Sequence, residues 1–274
     1  MSVSVTRFAA PTASVNSWLV ADDTSLIVID VLRSSAEAAE LADEVAASGK
    51  QLLAVVVTHG HPDHYIGLRT FAERFPDMPL LVASREIADD ITGFTAWMES
   101  VGWLDAEPTM KARSTANPDG FDYGIIQVAD RMELTLAQGA VVRLDTDWPA
   151  AEADHTTVVH VPSANAVFTS DLVYSGVHAW EGPQVTRDKI QSWLAALDTL
   201  LERYGTHVTV HPGHGPQGGT ARYEEIRRYL RDFLNVTEAA TGREEATAEM
   251  IRRYPDHEQA DFLLPLSIDF HVHA

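Results

Sequence analysis

The sequence has 274 residues, no cysteine, and a net charge of −20 from 20 basic and 40 acidic residues. This length allows a large domain with a substantial core, and an apolar content of 45% is ordinary for a folded protein. The lack of cysteine excludes disulfides, thiolate metal ligands and a cysteine nucleophile. The acidic surplus repels nucleic acids and anionic membranes, so we expect neither as a partner.

The first residues contain no continuous apolar core, and no run of about 18 apolar residues occurs anywhere in the sequence. We therefore expect neither a signal peptide nor a membrane span, and we expect a cytoplasmic protein.

Strands and helices alternate in the first part of the sequence. Ser25–Val31 and Leu52–Thr58 are short β-branched runs typical of buried strands. Between them, Ser34 and Glu37 form a capping box that begins a helix ending near Gly49. A helix over residues 65–74 and a strand over residues 80–83 follow. This order predicts an α/β fold.

The second part of the sequence continues with strand pairs and amphipathic helices. Paired strands are predicted within Glu133–Asp145 and over residues 155–162 and 166–174. An apolar stripe at helical period predicts a helix over residues 187–204, and a strand and a further helix follow it. Thr237–Glu245 is the candidate linker. We therefore predict a catalytic domain over residues 1–236 and a C-terminal helical appendage over residues 237–274.

Potential metal ligands are concentrated directly after the second predicted strand, in His59, His61, Asp63 and His64. Ligands collect at the carboxyl ends of strands in open α/β sheets. Imidazoles and a carboxylate grouped this closely would be costly to bury without a partner, and a divalent ion offsets that cost. The pattern indicates a metal site.

The stretch THGHPDHYIG resembles the H-x-H-x-D-H signature of the metallo-β-lactamase superfamily, and the resemblance spans roughly residues 17–229. It implies a four-layer αββα sandwich, here with an aromatic-rich insertion and the C-terminal appendage. It also implies further ligands, which match His155 in EADHTT, Asp171 in FTSDLVY and His214 in HPGHGP.

The ligand roles are carried over by this resemblance. One metal would be held by His59, His61 and His155; the other would be held by Asp63, His64 and His214; and Asp171 would bridge them. The stretch around His155 lacks the glycine and proline that the family often shows. The bridging aspartate is similar to that of the glyoxalase II, lactonase and phosphodiesterase branches. Two divalent ions are expected, with zinc first, and iron and manganese suit the same ligands.

The resemblance also implies chemical roles. A bridging hydroxide would be the nucleophile, and Asp63 would orient it or take its proton. Tyr174 follows Asp171 in an Asp-x-x-Tyr pattern that resembles acyl-homoserine lactonases, where the phenol would donate to the oxyanion. Packing in the core is the alternative for Tyr174.

Three more residues have open interpretations. Asp30 either orients a ligand imidazole or serves as a turn carboxylate. His178 and Trp180 lie in a loop and could contact the substrate, although His178 could equally be a surface histidine.

Residues 85–130 form the aromatic-rich insertion, and we expect the determinants of substrate identity there. The segment predicts either a lid over an apolar substrate or a contact in a homodimer.

The leading hypothesis is a dinuclear metal-dependent hydrolase acting on a small carboxylic ester-like substrate: a lactone, a thioester or an amide. The alternatives are a mononuclear iron persulfide dioxygenase-like oxidoreductase, a phosphodiesterase, which the net charge weakens, and a metal-binding module without catalysis.

Overall fold

The apolar runs of the N-terminal part form a six-stranded sheet in the computed structural model, which describes residues 2–272. The strands, in spatial order, are β1 (Ser4–Ala9), β2 (Asn16–Ala21), β3 (Ser25–Ile29), β4 (Gln51–Val57), β5 (Leu80–Val82) and β6 (Gln127–Val128). The first three strands are antiparallel, and the pairs from β3 to β6 are parallel. The carboxyl ends of β3, β4 and β5 therefore lie at one edge of the sheet, as the α/β prediction requires.

The chain divides into two compact units. Unit 1 comprises Met1–Thr146 and His155–Ala164, and unit 2 comprises Asp147–Asp154 and Asn165–Ala274. The six-stranded sheet lies wholly in unit 1. The chain passes from one unit to the other after residues 146, 154 and 164, and none of these places coincides with the predicted domain boundary at residue 236. That boundary stays a prediction.

Four helices cover the sheet of unit 1: α1 (Ser35–Ala47), α2 (Pro62–Tyr65), α3 (Leu68–Arg74) and α4 (Arg85–Ser100). The predicted N-cap at Ser34 is confirmed, because the Ser34 hydroxyl accepts from the Glu37 amide at 3.2 Å. The Glu37 carboxylate accepts from the Ser34 hydroxyl and from the Thr12 amide, both at 2.9 Å, which differs from the Ser34 amide contact of a full capping box. Leu41 and Val45 of α1 share one core cluster with Val55 and Val57 of β4. Alternate strand residues and one helix face thus bury each other.

The predicted helix over residues 65–74 is instead two helices, α2 and α3. They are separate because main-chain groups near their junction form hydrogen bonds with the segment after β3 and not within one continuous helix. The His64 carbonyl accepts from the Val31 amide at 2.9 Å, and the Gly67 amide donates to Leu32 at 3.2 Å. Pro62 occupies the first turn of α2, where its missing N–H is harmless. The loop from His59 to His64, called the motif loop below, is thereby hydrogen-bonded to the segment after β3.

The rest of unit 1 contains an antiparallel arrangement of β7 (Glu133–Thr135), β8 (Val141–Asp145) and β9 (Val158–Val161). The strand pair expected within Glu133–Asp145 is confirmed. In unit 2, β10 (Ala166–Tyr174) and β11 (Thr209–His214) are parallel. The helices of unit 2 are α5 (Arg187–Tyr204), α6 (Ala221–Ala239), α7 (Arg243–Arg253) and α8 (Leu263–His271).

Helix α5 has the predicted bounds. Its apolar stripe is buried from Ile190 to Leu200, and the indole N–H of Trp193 donates to the Leu172 carbonyl of β10 at 2.9 Å. The predicted linker, Thr237–Glu245, contains the end of α6 and the start of α7, and the C-terminal helices belong to unit 2. Among the described residues, no helix is both long and apolar enough to cross a membrane.

Candidate metal-binding residues

The predicted ligand loop of unit 1 leaves β4 and enters α2, so it brings its side chains close together. The rings of His59 and His64 are fully buried, and their centroids lie 4.2 Å apart. The ring of His61 lies 4.8 Å from that of His59. Ligand atoms of His59 and His61 lie within 4.8 Å of each other, as do those of Asp63 and His64. Unit 1 thus presents nitrogen and oxygen donors in two close pairs.

Asp30 positions this loop from the end of β3. Its carboxylate accepts from the Thr58 amide at 2.8 Å and from the Thr58 hydroxyl at 2.9 Å, and it lies 2.8 Å from Nδ1 of His64. A carboxylate can only accept, so Nδ1 of His64 carries the proton and Nε2 carries the lone pair that a metal needs. Of the two interpretations of Asp30, orientation of an imidazole is therefore the one that the structure shows.

His155, the third predicted ligand of its set, has a different environment. The backbone of the next residue, Thr156, pairs with that of His59, so the segment lies beside the motif loop. The His155 side chain is 45% exposed, and its Nδ1 lies 2.8 Å from a carboxylate oxygen of Asp90 on α4. Within the described residues, His155 does not join the groups of three or more close ligand atoms. Its metal-binding role stays a prediction that this geometry does not support.

Asp171 and His214 meet in unit 2. His214 ends β11, and its Nε2 lies 3.2 Å from Oδ2 of Asp171 in β10. Both side chains are buried. A Cβ atom on Gly213 would lie 1.9 Å from Oδ1 of Asp171, so only glycine allows this approach. The Pro-Gly-His stretch therefore packs directly on the predicted bridging carboxylate.

Tyr174 belongs to the same cluster. Its hydroxyl lies 2.6 Å from Oδ2 of Asp171, to which it donates, and its ring stacks on His214 at 4.5 Å. The side chain is buried, as the core alternative expected. A phenol has a single O–H donor, which is directed here at the carboxylate. Tyr174 thus positions Asp171, and donation to a substrate oxyanion stays a prediction.

Two buried glutamates of unit 2 were not singled out from the sequence. A carboxylate oxygen of Glu152 lies within 4.8 Å of one of Asp171, and Glu152 is 3% exposed. Burial, together with the charge of Glu152, raises the pKa of Glu181 well above its ordinary value. Neither residue lies in a motif, and only the fold reveals that they are close to each other.

His178 and Trp180, the predicted substrate contacts, pack within unit 2. His178 is fully buried, and its Nδ1 lies 3.0 Å from the Tyr229 hydroxyl. The interpretation of His178 as a surface histidine is therefore wrong. The Trp180 ring meets Phe270 of α8 edge to face at 6.1 Å. These partners belong to C-terminal helices, and they give no support to a role in substrate contact.

The close imidazole nitrogens and carboxylate oxygens, on an α/β fold, define a class of metal-binding proteins whose ligands are histidine and carboxylate side chains. The model of the metallo-beta-lactamase superfamily matches residues 10–214, and the chain belongs to this family. The match includes every residue that was predicted to bind metal. The expected fold is thereby confirmed as a mixed α/β arrangement with two sheets flanked by helices and with C-terminal helices present.

Individual relatives are distant. A "probable metallo-hydrolase" of Streptococcus pyogenes serotype M6 is 23% identical over 74% of this chain and 80% of its own length. A metallo-beta-lactamase family protein from Thermus thermophilus superposes with a TM-score of 0.65 at 16% identity, covering 97% of this chain and 91% of that one. A metallo-beta-lactamase from Pontibacter korlensis gives a TM-score of 0.57 at 17% identity, covering 84% and 94%. Likeness at this identity shows the fold.

Proposed function

We propose that this chain is a metal-dependent hydrolase that cleaves a small carboxylic ester-like bond in a lactone, a thioester or an amide. The observation that carries the proposal is the His59–His64 loop, in which Asp30 fixes His64 with Nε2 as the lone-pair nitrogen. A protein that used these histidines only for packing would not need this tautomer. Membership of the superfamily and the metallo-hydrolase relative support the proposal.

The donor set fits divalent metal ions. It consists of imidazole nitrogens and carboxylate oxygens without a thiolate, a chemistry that suits zinc, iron and manganese. We propose two ions, with zinc first, and the residues that would hold them are His59, His61, Asp63, His64, Asp171 and His214. The family resemblance adds His155, whose exposed side chain pairs with Asp90. Glu152 is an additional oxygen donor beside Asp171. Bound ions of this kind supply a hydroxide nucleophile near neutral pH and polarise the carbonyl under attack.

The chain's own residues have separate tasks in this proposal. Asp63 is partly exposed, and in this proposal its carboxylate orients the attacking water or takes its proton. Tyr174 keeps Asp171 in one orientation through its hydroxyl. Asp30 does the same for His64. A neutral ester-like substrate suits a chain with a net charge of −20 better than a phosphodiester does.

The first experiment measures metal identity and stoichiometry by elemental mass spectrometry on protein produced with zinc, iron and manganese all supplied. Two zinc ions per chain, with hydrolysis of lactones or thioesters, is the expected result. His59→Ala should lose metal and activity, whereas His207→Ala, at an exposed histidine outside the motif, should retain both. One iron per chain, with oxygen consumption on a persulfide substrate, would replace the proposal with the dioxygenase alternative.

A further inference from the structure

We propose that a row of aromatic rings on unit 1 binds an apolar group of the substrate, so that the preferred substrates are ester-like compounds with a long alkyl or aromatic substituent. This inference rests on the proposed function and names its substrate class. The row, called the aromatic ladder below, consists of His61, Phe94, Trp97 and Trp103.

Ring contacts connect the ladder to the metal-binding loop. The His61 ring meets Phe94 of α4 at 5.3 Å, and Phe94 meets Trp97, one helical turn further on, at 5.2 Å. Trp97 meets Trp103 at 4.8 Å. All three contacts are edge to face, the arrangement that aromatic rings favour. A continuous apolar path therefore runs from a candidate metal ligand to the protein surface.

The outer end of the ladder is exposed to solvent. Trp97 and Trp103 are 40% and 42% exposed, and Val101 between them is 48% exposed. Their neighbours Met98 and Leu104 are buried and anchor the segment. Single exposed apolar residues need no explanation, but a contiguous patch that joins a functional loop marks a binding surface.

Helix α4 is fixed against the metal-binding loop. A Cβ atom on Gly60 would lie 2.6 Å from Cβ of Asp90, so only glycine permits this packing. Tyr65 and Thr95 share a buried hydrogen bond of 2.9 Å, and Asp90 pairs with His155. A helix held in this way is a preformed wall, which binds an apolar group without the cost of ordering a mobile segment.

The ladder favours a substrate group over a second copy of the chain. A stable dimer buries roughly 800 Å² on each partner, and a fully exposed tryptophan offers only about 250 Å². Two tryptophans and a valine that are each less than half exposed fall well short of that area. Copies that each carry a charge of −20 also repel one another. A substrate whose reacting carbonyl lies at the metal ligands would extend its apolar group along the rings.

The test compares thioesters of short and long acyl chains on the metal-loaded enzyme. Trp97→Ala and Trp103→Ala should each raise KM for long chains about tenfold, a loss of the size expected for removing one buried aromatic contact. Hydrolysis of the shortest chain should be unchanged in both variants. Ile125→Ala, at a side chain that is 42% exposed in the same insertion, is the matched control and should behave as the parent.

A binding measurement separates this proposal from the proposed function. A long-chain methyl ketone presents a carbonyl without a hydrolysable bond, and its affinity for parent and variants can be measured by calorimetry. In one outcome the parent hydrolyses no ester-like substrate and still binds the ketone, while the tryptophan variants do not bind it. That result would refute the proposed hydrolase function and support the aromatic ladder as a binding surface. If KM and ketone affinity are the same in parent and variants, the ladder is refuted while the hydrolase remains. A change of molecular mass in the variants by light scattering would assign the patch to a chain–chain interface and also refute the proposal.

Discussion

Replacing Asp30 with asparagine should disable His64 as a ligand while leaving the shape of the loop intact. Oδ1 of Asp30 accepts from the Thr58 amide, which can only donate, so this position must remain an oxygen. The new amide nitrogen must then occupy the Oδ2 position, which faces Nδ1 of His64. It would donate to Nδ1 and move the ring proton to Nε2. His64 would then present an N–H group to the metal instead of a lone pair.

The size of the effect follows from the chemistry of such carboxylate–histidine pairs. Removing the carboxylate behind a ligating histidine lowers metal affinity by about 10- to 100-fold, or about 1.4 to 2.8 kcal/mol. Unfolding of the metal-free protein should become easier by only about 1 to 2 kcal/mol, because charge-assisted hydrogen bonds are replaced by neutral ones. Zinc affinity is measured by competition with a coloured chelator, and stability by urea unfolding.

Asp22→Asn is the matched control for Asp30→Asn. Asp22 is also a buried carboxylate, and it accepts main-chain hydrogen bonds from Thr24, Ser25 and Gln138 where Asp30 instead holds a histidine. Burial alone would raise its pKa, yet these N–H donors outweigh burial and hold the pKa well below the ordinary value. Asp22→Asn should therefore lower stability without changing zinc affinity. Equal zinc affinity in Asp30→Asn and Asp22→Asn would refute the tautomer argument.

Three further outcomes are expected. Tyr174→Phe removes the donor to Asp171 and should lower zinc affinity about tenfold, since ligand-orienting partners contribute at this level; a fall in kcat alone would instead indicate an oxyanion donor. Burial, with the nearby His257, lowers the pKa of His178 to about 4, so this residue should cost the metal-free protein about 3 kcal/mol of stability as pH falls from about 6.5 to 4. The buried His211 has a similarly lowered pKa, so His178→Asn should make the pH profile of urea unfolding less steep by the share of His178 alone. Chelation of the metal should lower Tm in a differential scanning measurement and zinc should restore it, since a ligand at a hundred times its Kd stabilises by about 2.7 kcal/mol; an unchanged Tm would argue against a bound metal.

The sign of the His178 effect follows from proton binding. In the folded chain the imidazole stays neutral between pH 6.5 and about 4, whereas in the unfolded chain it takes up a proton over this range. The unfolded state therefore binds more protons, and stability is full above pH 6.5 and lost as pH falls. A pH profile that is equally steep in the parent and in His178→Asn would show that burial does not keep this ring neutral.

The sequence allowed prediction of those features that depend on neighbouring residues. Helix α5 has the bounds expected from its apolar stripe, and Ser34 is the N-cap of α1 as expected. The ligand loop of unit 1 follows β4 as expected, because its spacing and the strand before it are both local. The interruption after α2 was not predicted, since it depends on hydrogen bonds from Val31 and Gly67 to residues outside the local helical pattern.

Partners distant in the sequence escaped prediction for the same reason. The sequence left two roles open for Asp30, and only the approach of β3 to the motif loop decides between them. Glu152 lies in an alanine-rich stretch with no motif, so nothing local identifies it as a neighbour of Asp171. The sequence left His178 as either a substrate contact or a surface histidine, but α6 covers it.

The identity of the candidate ligands and their orientation are thus encoded in different parts of the chain. The motif supplies imidazoles and carboxylates, and a signature in the sequence identifies them. Asp30 determines which nitrogen His64 presents, and Tyr174 and Gly213 hold Asp171 through one hydrogen bond and one close approach. A chain with an intact H-x-H-x-D-H motif but without these three residues would keep that motif and lose the arrangement. Substitutions at Asp30 and Tyr174, which are not themselves candidate ligands, are therefore the sharper test of metal-binding chemistry, because removing a ligand itself abolishes binding without showing what orients it.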